Sequence, residues 1–195
     1  MKVQSMIETG RLLLRPWQEE DAERLYVLAK DHEVGPRAGW PVHKSVEDSR
    51  NIILNVLAVP ETYAVLRKED GLLIGSVGLK FGEVSTSEKD SEPELGYWIG
   101  KDYWRHGYAT EAARCLIRRA FDELGADAVW CCHYEGNDRS KKVIEKCGFS
   151  YVRTDPAGDT LLGYTLPELE YRMSREDFVR VQGYSYGCKT LSRDA

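Results

Sequence analysis

Apolar residues recur along the chain with two different periods, and these divide it into alternating strands and helices. Residues 11–15 (RLLLR) form a short apolar run stopped by Pro16, which cannot donate to a sheet ladder and so suits a strand end. Behind Trp17 the acidic run Glu19, Glu20 and Asp21 stands where a helix N-terminus favours negative charge, and Ala22, Leu25, Tyr26 and Ala29 follow at helical spacing. The stretch HEVGPRAGWP, punctuated by Gly and Pro and carrying Trp40, reads as a loop. Ser45 with Asp48 three residues on resembles a capping box, which opens a second helix running to about Val59.

Residues 63–67 and 72–81 are β-branched and aromatic and are joined through Lys68-Glu69-Asp70-Gly71, a hairpin signature. A polar connection over residues 82–93 leads to ELGYWI at 94–99, again of strand character. Ala113, Leu116, Ile117, Ala120, Phe121 and Leu124 then follow the i, i+3, i+4 series of an amphipathic helix. Residues 128–133 read as a strand, 138–146 as a short helix ended by Gly148, and 149–153 as a further strand. Residues 161–173 give the last strand, interrupted by Pro167, and Ser174 with Asp177 opens a last helix. From Gly183 the apolar content is too low to specify a fold. These elements predict one α/β domain over residues 1–182 and a tail over 183–195, with a single mixed sheet covered by helices on both faces.

Composition narrows the function. The chain has 195 residues, 42% hydrophobic and 30% charged, which fits one globular domain. Its 27 basic against 32 acidic side chains give a formal charge of −5, so no basic footprint for nucleic acid is present. No apolar run approaches the roughly 20 residues of a membrane helix, and the start MKVQSMIETG has no signal-peptide h-region; a cytoplasmic protein without membrane partners is expected. Of five cysteines only Cys131 and Cys132 are close in sequence, too close for an ordinary disulfide or a metal clip, which suits a reducing compartment. The histidines (His32, His43, His106, His133) lack ligand-like spacing, so no metal is expected.

The segment richest in chemistry is the strand ELGYWI, the turn KDYWRHGYAT and the helix behind it. A strand entering a Gly-containing turn and a helix N-terminus presents unpaired N–H groups to whatever lies in front, and a phosphate is their natural guest. Gly107 permits close backbone approach, Ala109 keeps the surface small, and Arg105, His106 and Thr110 stand nearby. The turn has neither the GxGxxG of a dinucleotide fold nor the GK[ST] of a P-loop.

YWRHGYATEA at residues 103–112 resembles the acetyl-CoA pyrophosphate loop of the GNAT superfamily of acyl-CoA N-acyltransferases, whose core pattern is Gln/Arg-x-x-Gly-x-Gly/Ala. Gly107 and Ala109 match the pattern, while Trp104 replaces the leading Gln/Arg, a departure common in the branch that acetylates ribosomal-protein alanine and serine N-termini. That branch is also suggested by ETGRLLLRPW near the N-terminus, ELGYWIG before the loop and NDRSKKVIEKCGF at residues 137–149. The resemblance covers most of residues 7–153 and is weak beyond Thr154. It implies a GNAT-type fold, a mostly antiparallel sheet of six to seven strands with helices on both faces. It also implies acetyl-CoA as acyl donor and an amine acceptor.

The resemblance assigns roles as well. Backbone N–H groups of Arg105, His106, Gly107, Tyr108, Ala109 and Thr110 would bind the pyrophosphate, and the main chain of Trp98 and Ile99 would pair with the pantetheine arm. Asn137 matches a pantetheine-contacting asparagine, and Ser140 the position that hydrogen-bonds the departing sulfur; the alternative for both is helix capping and a first-turn serine. For the base, Glu94 is the first candidate, against an exposed strand-end glutamate. His133 is the second, against a packed or solvated histidine. Cys131 and Cys132 alternate faces on a strand and have no visible basic partner, so nucleophilic use is disfavoured. Lys141 and Lys142 are either phosphate contacts or a solvated face, and Trp40 belongs to the loop that would form the acceptor wall.

The expected activity is acetylation of a primary amine, with a protein N-terminal α-amine ahead of an aminoglycoside, polyamine or other small amine, by direct attack in a ternary complex. A catalytically weak acyl-CoA-binding module is the alternative from another class, and free-thiol release separates the two. The chain would act as a monomer or homodimer.

Overall fold

The computed structural model describes residues 5–87, 89–181 and 188–191. Among these the strands are β1 (Met6–Glu8), β2 (Leu12–Pro16), β3 (Thr62–Arg67), β4 (Leu73–Lys80), β5 (Glu94–Ile99), β6 (Ala128–Tyr134), β7 (Ser150–Gly158), β8 (Leu166–Ser174) and β9 (Lys189–Leu191). The helices are α1 (Ala22–Ala29), α2 (Val46–Ile52), α3 (Tyr108–Asp122), α4 (Asp138–Cys147) and α5 (Arg175–Val181). One open sheet runs β7-β8-β6-β5-β4-β3-β2-β1-β9, antiparallel throughout except between β5 and β6.

The mixed, mostly antiparallel sheet is the expected class, but it has nine strands rather than six or seven. The two unforeseen strands, β1 and β9, are three residues each and carry almost no burial pattern of their own; only Ile7 is buried. Hydrogen bonding to a neighbour, not side-chain alternation, defines them. Of residues 183–195 only 188–191 are described, and there β9 joins β1 at Met6↔Leu191, so part of that segment does take up structure. The expected domain boundary at 182 lies outside the described residues.

Local chemistry accounts for most element ends. Ser45 Oγ accepts from the Asp48 N–H at 3.0 Å and starts α2. Instead of continuing to Val59, α2 passes at Ile53–Leu57 into a widened π turn, closed by Ala58 N–H donating to Ile53 O at 2.8 Å. Ser174 and Asp177 cap α5 reciprocally, each side chain accepting the other's N–H at 3.1 Å. Pro167 does not interrupt β8: it lies beyond the last β6 pair, Tyr134↔Glu168, and within the register gap of β7 between Asp155↔Glu168 and Gly158↔Leu166. Its missing N–H therefore costs no ladder bond.

Helix α3 lays Ala113, Leu116, Ile117, Ala120 and Phe121 on one sheet face, against Leu14, Val65, Val77 and Leu95. Leu124, expected on the same stripe, lies past the helix end and is exposed. The opposite face is covered by Ala22, Leu25, Leu28 and Ala29 of α1 and by Ile53, packed with Trp17, Ala64 and Leu73. The functional geometry arises between β5 and β6, which pair only at Glu94↔Trp130 and Leu95↔Cys131 and then part. Each is followed by a helix, α3 after β5 and α4 after β6, so both helix N-termini stand at the open end of the split.

Candidate active site

The split opens into a cleft of about 1200 Å³, lined by the loop before α3, the first turns of α4, the α1–α2 loop and the π turn. In the loop, Gly107 has φ +81° and Arg105, a non-glycine, has φ +68°. Together they turn the backbone so that no N–H from residues 105–110 donates to a protein acceptor among the described residues. Such a run of free donors at a helix start, with no counter-acceptor, is an anion site in waiting. Arg105 lines the cleft together with Lys142 and Lys146, whereas Lys141 does not. His106 is not part of the lining: its exposed ring stacks on Tyr108 with centroids 5.6 Å apart.

A clamp that the sequence did not reveal holds this loop. Arg11, just ahead of β2, donates through Nη1 to the His106 carbonyl at 2.9 Å and through Nε to Glu111 Oε2 at 2.7 Å, with its guanidinium over the Tyr108 ring. Glu111 Oε1 also accepts from Thr9 Oγ1 at 2.6 Å and from the Arg11 N–H at 2.8 Å. Burial pushes the Glu111 carboxyl up, but these donors outweigh it and hold it below the ordinary carboxylate range.

Strand β5 supplies the second wall. Leu79 N–H donates to Glu61 O on the β3 side and Trp130 N–H to Pro93 O on the β6 side. By the alternation of an antiparallel ladder, Gly96 and Trp98 therefore turn their main chain to β4. The backbone that faces the opening belongs to Tyr97 and Ile99. Trp98 thus lines the cleft with its ring, packed on Trp17 and Trp40, and not with its amide as expected. The Ile99 carbonyl already accepts from Trp104 Nε1 at 2.6 Å, which leaves its N–H.

At α4, Asn137 Oδ1 accepts from the Ser140 N–H at 3.3 Å, while Nδ2 donates to Arg37 O at 2.9 Å, so one amide proton expected to be free ties down the α1–α2 loop. Ser140 Oγ lies 3.0 Å from the Tyr97 hydroxyl. Burial, the largest influence, holds the Tyr97 phenol well above its ordinary value, so at neutral pH it keeps its proton.

The two base candidates are both engaged. Glu94 is buried, with Oε1 accepting from Lys80 Nζ at 2.8 Å and Oε2 from Thr86 N–H and Oγ1 at 3.1 and 2.9 Å. Lys80 feels desolvation that lowers its pKa, yet Glu94 holds the ammonium above the ordinary lysine value. His133 is packed in the core. Nδ1 is 2.9 Å from the Tyr134 carbonyl, which can only accept, so Nδ1 carries the proton and Nε2 receives the Tyr171 hydroxyl at 3.2 Å. Cys131 is core; Cys132 faces the cleft, its thiol pushed up by burial, and bonds Thr86 Oγ1 at 3.1 Å. Among the described residues no three His, Cys, Asp or Glu side chains group as a metal site, and no helix is long and apolar enough to cross a membrane.

Residues 11–150 match the family model of the acetyltransferase (GNAT) domain. The chain belongs to the GNAT acetyltransferase family. It is accordingly an acetyl-CoA-dependent acetyltransferase acting on an amine. Its relatives include the uncharacterized N-acetyltransferase YoaA of Bacillus subtilis, 26% identical over 149 residues, covering 74% of this chain and 82% of YoaA. The FsC-acetyl coenzyme A-N(2)-transacetylase of Aspergillus fumigatus is 27% identical over 193 residues, covering 93% of this chain and 81% of that protein. Among solved structures, RimL, the ribosomal L7/L12 alpha-N-protein acetyltransferase in complex with coenzyme A, superposes with a TM-score of 0.72 at 14% identity. That superposition covers 87% of this chain and 97% of RimL and speaks for the fold alone.

The residues of this GNAT cleft fit acetyl-CoA on their own chemistry: free N–H groups and cationic side chains at one end, unpaired strand backbone along the arm, and Tyr97 with Ser140 at the split. Sequence reasoning missed one further polar group. Glu168 of β8 faces the cleft opposite Tyr134, half-buried, and burial together with the nearby Glu94 pushes its carboxyl up to about 7. Alternation groups Glu168 with Glu170 and Arg172 on the polar face of β8, which in the sequence reads as facing solvent; its burial comes from the fold.

Proposed function

We propose that this enzyme acetylates the α-amine of a protein N-terminus, in the cytoplasm, by direct attack on acetyl-CoA within a ternary complex. The free donors of residues 105–110 carry the donor half of the proposal; they hold the pyrophosphate, with Arg105, Lys142 and Lys146 screening its charge. Tyr97 and Ile99 backbone and the remaining Asn137 amide proton receive the pantetheine arm. Acetyl-CoA supplies an activated acyl carbon. Ser140, backed by the protonated Tyr97, hands a proton to the leaving sulfur.

Two considerations favour an α-amine. The cleft opens to a rim of exposed Val56, Val59 and Val84, along which an extended chain end can lie. And at neutral pH an α-amine with pKa near ~8 is neutral in about one molecule in ten, a lysine near ~10.4 in a few per ten thousand, a gap of about 3 kcal/mol for the site to recover. RimL, similar in fold, is itself an alpha-N-protein acetyltransferase. The match to the FsC transacetylase over most of the chain favours a second reading, a small-molecule amine. The deciding experiment incubates the protein with acetyl-CoA and a panel of amines, reading free thiol and product mass. A peptide with a free Ala or Ser N-terminus should outperform its N-blocked, lysine-containing counterpart; preference for the blocked peptide or for a small amine refutes the assignment. Binding of acetyl-CoA without thiol release for any amine would instead mark a binding module.

A further inference from the structure

Four carboxylate or imidazole side chains line the cleft among the described residues: Glu33, Glu94, His133 and Glu168. Glu33, early in the α1–α2 loop, forms ion pairs with Lys101 and, at 3.6 Å, with Arg139. Glu94 is bound by Lys80 and Thr86, and His133 engages both ring nitrogens. Glu168 differs: no described residue hydrogen-bonds to its carboxylate or forms an ion pair with it. Its place in the sheet is also specific. The pairs Glu94↔Trp130 and Tyr134↔Glu168, with a side-chain period of two, put Glu94, Trp130, Cys132, Tyr134 and Glu168 on one face. That is the face of Trp98 and the α1–α2 loop, across the split from Ser140 on α4.

We propose that Glu168 is the general base of the reaction, the carboxylate that takes the proton from the acceptor's ammonium group. The assignment rests on the acetyltransferase reading above. The groups facing Glu168 poise it. Glu94 from β5, Glu170 on β8 and Asp155 from β7 oppose its negative charge, Lys80 from β4 favours it, and burial adds to the opposition. Tyr134 and Cys132 from β6 stay neutral, both pushed up by burial. A base balanced near neutrality can accept a proton from an amine and return it to water at the cleft mouth.

The protons balance. One leaves the ammonium for Glu168, and the freed nitrogen pair forms the C–N bond at the acyl carbon. The C–S pair departs with sulfur, which receives a proton from Ser140, and Ser140 is restored by the second proton lost from nitrogen. The products are the acetamide, the CoA thiol and a neutral Glu168.

The test measures kcat/KM for acetylation of a tetrapeptide with a free Ser N-terminus, from about pH 6 to about pH 9, in wild type, Glu168→Gln and Glu168→Asp. Glu168→Gln should lose roughly a hundredfold at neutral pH, with the deficit narrowing as the α-amine passes its own pKa near ~8. Glu168→Asp should keep the shape of the wild-type profile at a reduced rate. A Glu168→Gln enzyme with the wild-type rate and profile overturns the proposal. An independent readout is the carboxyl carbon-13 resonance of glutamate-labelled full-length protein. One resonance should titrate near neutrality and vanish in Glu168→Gln; titration of Glu168 in the ordinary range near ~4.3 overturns the proposal without any turnover. Failure of the wild type to acetylate any amine would instead sink the acetyltransferase reading, and the resonance tells the two failures apart.

Discussion

Replacing Gly107 with valine separates the stability of the loop from its ability to hold an anion. The φ of Gly107 is +81°, and a Cβ there would meet only Arg11 Nη2, at an ordinary 3.5 Å. The obstacle is therefore conformational and not crowding. A side chain in the left-handed region costs about 1–2 kcal/mol, more when β-branched. In a chain of this size 1 kcal/mol moves Tm by about 2–4 °C, so the variant should melt about 2–8 °C below wild type while remaining folded, since the strain sits at one helix start. Acetyl-CoA at a hundredfold excess over Kd stabilises the native state by about 2.7 kcal/mol, or about 5–11 °C by the same conversion. Valine would stand beside the free N–H groups of residues 105–110 and remove most of that second shift. Thermal melting with and without acetyl-CoA reads both. A folded Gly107→Val protein that keeps its full ligand-induced shift would refute the placement of the pyrophosphate on this loop.

Further outcomes follow from other contacts. Ser140→Ala should lower kcat more than it weakens acetyl-CoA binding, because a bond to the departing sulfur strengthens as charge develops there; unchanged kcat where chemistry limits the rate would reduce Ser140 to a helix-turn residue. Asn137→Ala should chiefly raise KM for acetyl-CoA and cost about 1 kcal/mol of stability through the lost cap, read by kinetics and melting. Glu92 is held down at about 2 by Arg172 first, and also by Trp130 and Lys89, against the opposing effect of burial. A carboxylate whose pKa is lowered in the fold stabilises it above the group's ordinary value and loses that contribution as pH falls toward about 2. Glu92→Gln should therefore melt lower at neutral pH and show a flatter acid dependence. Leu116→Ala, at a fully buried site, should cost about 2–5 kcal/mol by chemical denaturation.

The sequence disclosed what depends on neighbours in the chain and concealed what depends on neighbours in space. The α3 stripe, the ELGYWI strand and the Ser45 and Ser174 caps are local patterns, and each forms where its pattern lies. The three-residue strands β1 and β9 exist only through ladder bonds, so no period announces them. The turn before α3 was legible as a strand-turn-helix with a glycine, but the positive φ of Arg105 was not, because nothing in its side chain calls for it. The partners of the two expected base residues were hidden for a similar reason. Glu94 and His133 have suitable residue types at strand ends, yet the partners that occupy them, Lys80, Thr86 and Tyr171, come from β4, the β4–β5 connection and β8. Glu168 drew no attention because its chemistry comes from an environment assembled by three other strands.

The N-terminal motif ETGRLLLRPW shows how such long-range contacts give one short segment several tasks. Thr9 and Arg11 reach the first turn of α3, and Arg11 alone spans both the His106 carbonyl and the Glu111 carboxylate, so the segment before β2 braces a loop about a hundred residues away. Arg15, at the other end of the strand, makes a two-pronged pair with Asp21 at 2.7 and 2.6 Å, and Asp21 in turn accepts the Gln18 N–H, which fixes the entry into α1. Trp17 donates to Ser76 Oγ at 3.3 Å and stacks on Trp98, the aromatic floor of the cleft. The apolar residues between the arginines are set by the core, Leu12 and Leu14 being fully buried. The charged residues at its ends answer to the loop before α3 and to the entry of α1. Strand β2 thus joins the loop before α3 and the entry of α1 through one element, and a change at Arg11 should be felt at that loop while a change at Arg15 should be felt at the start of α1.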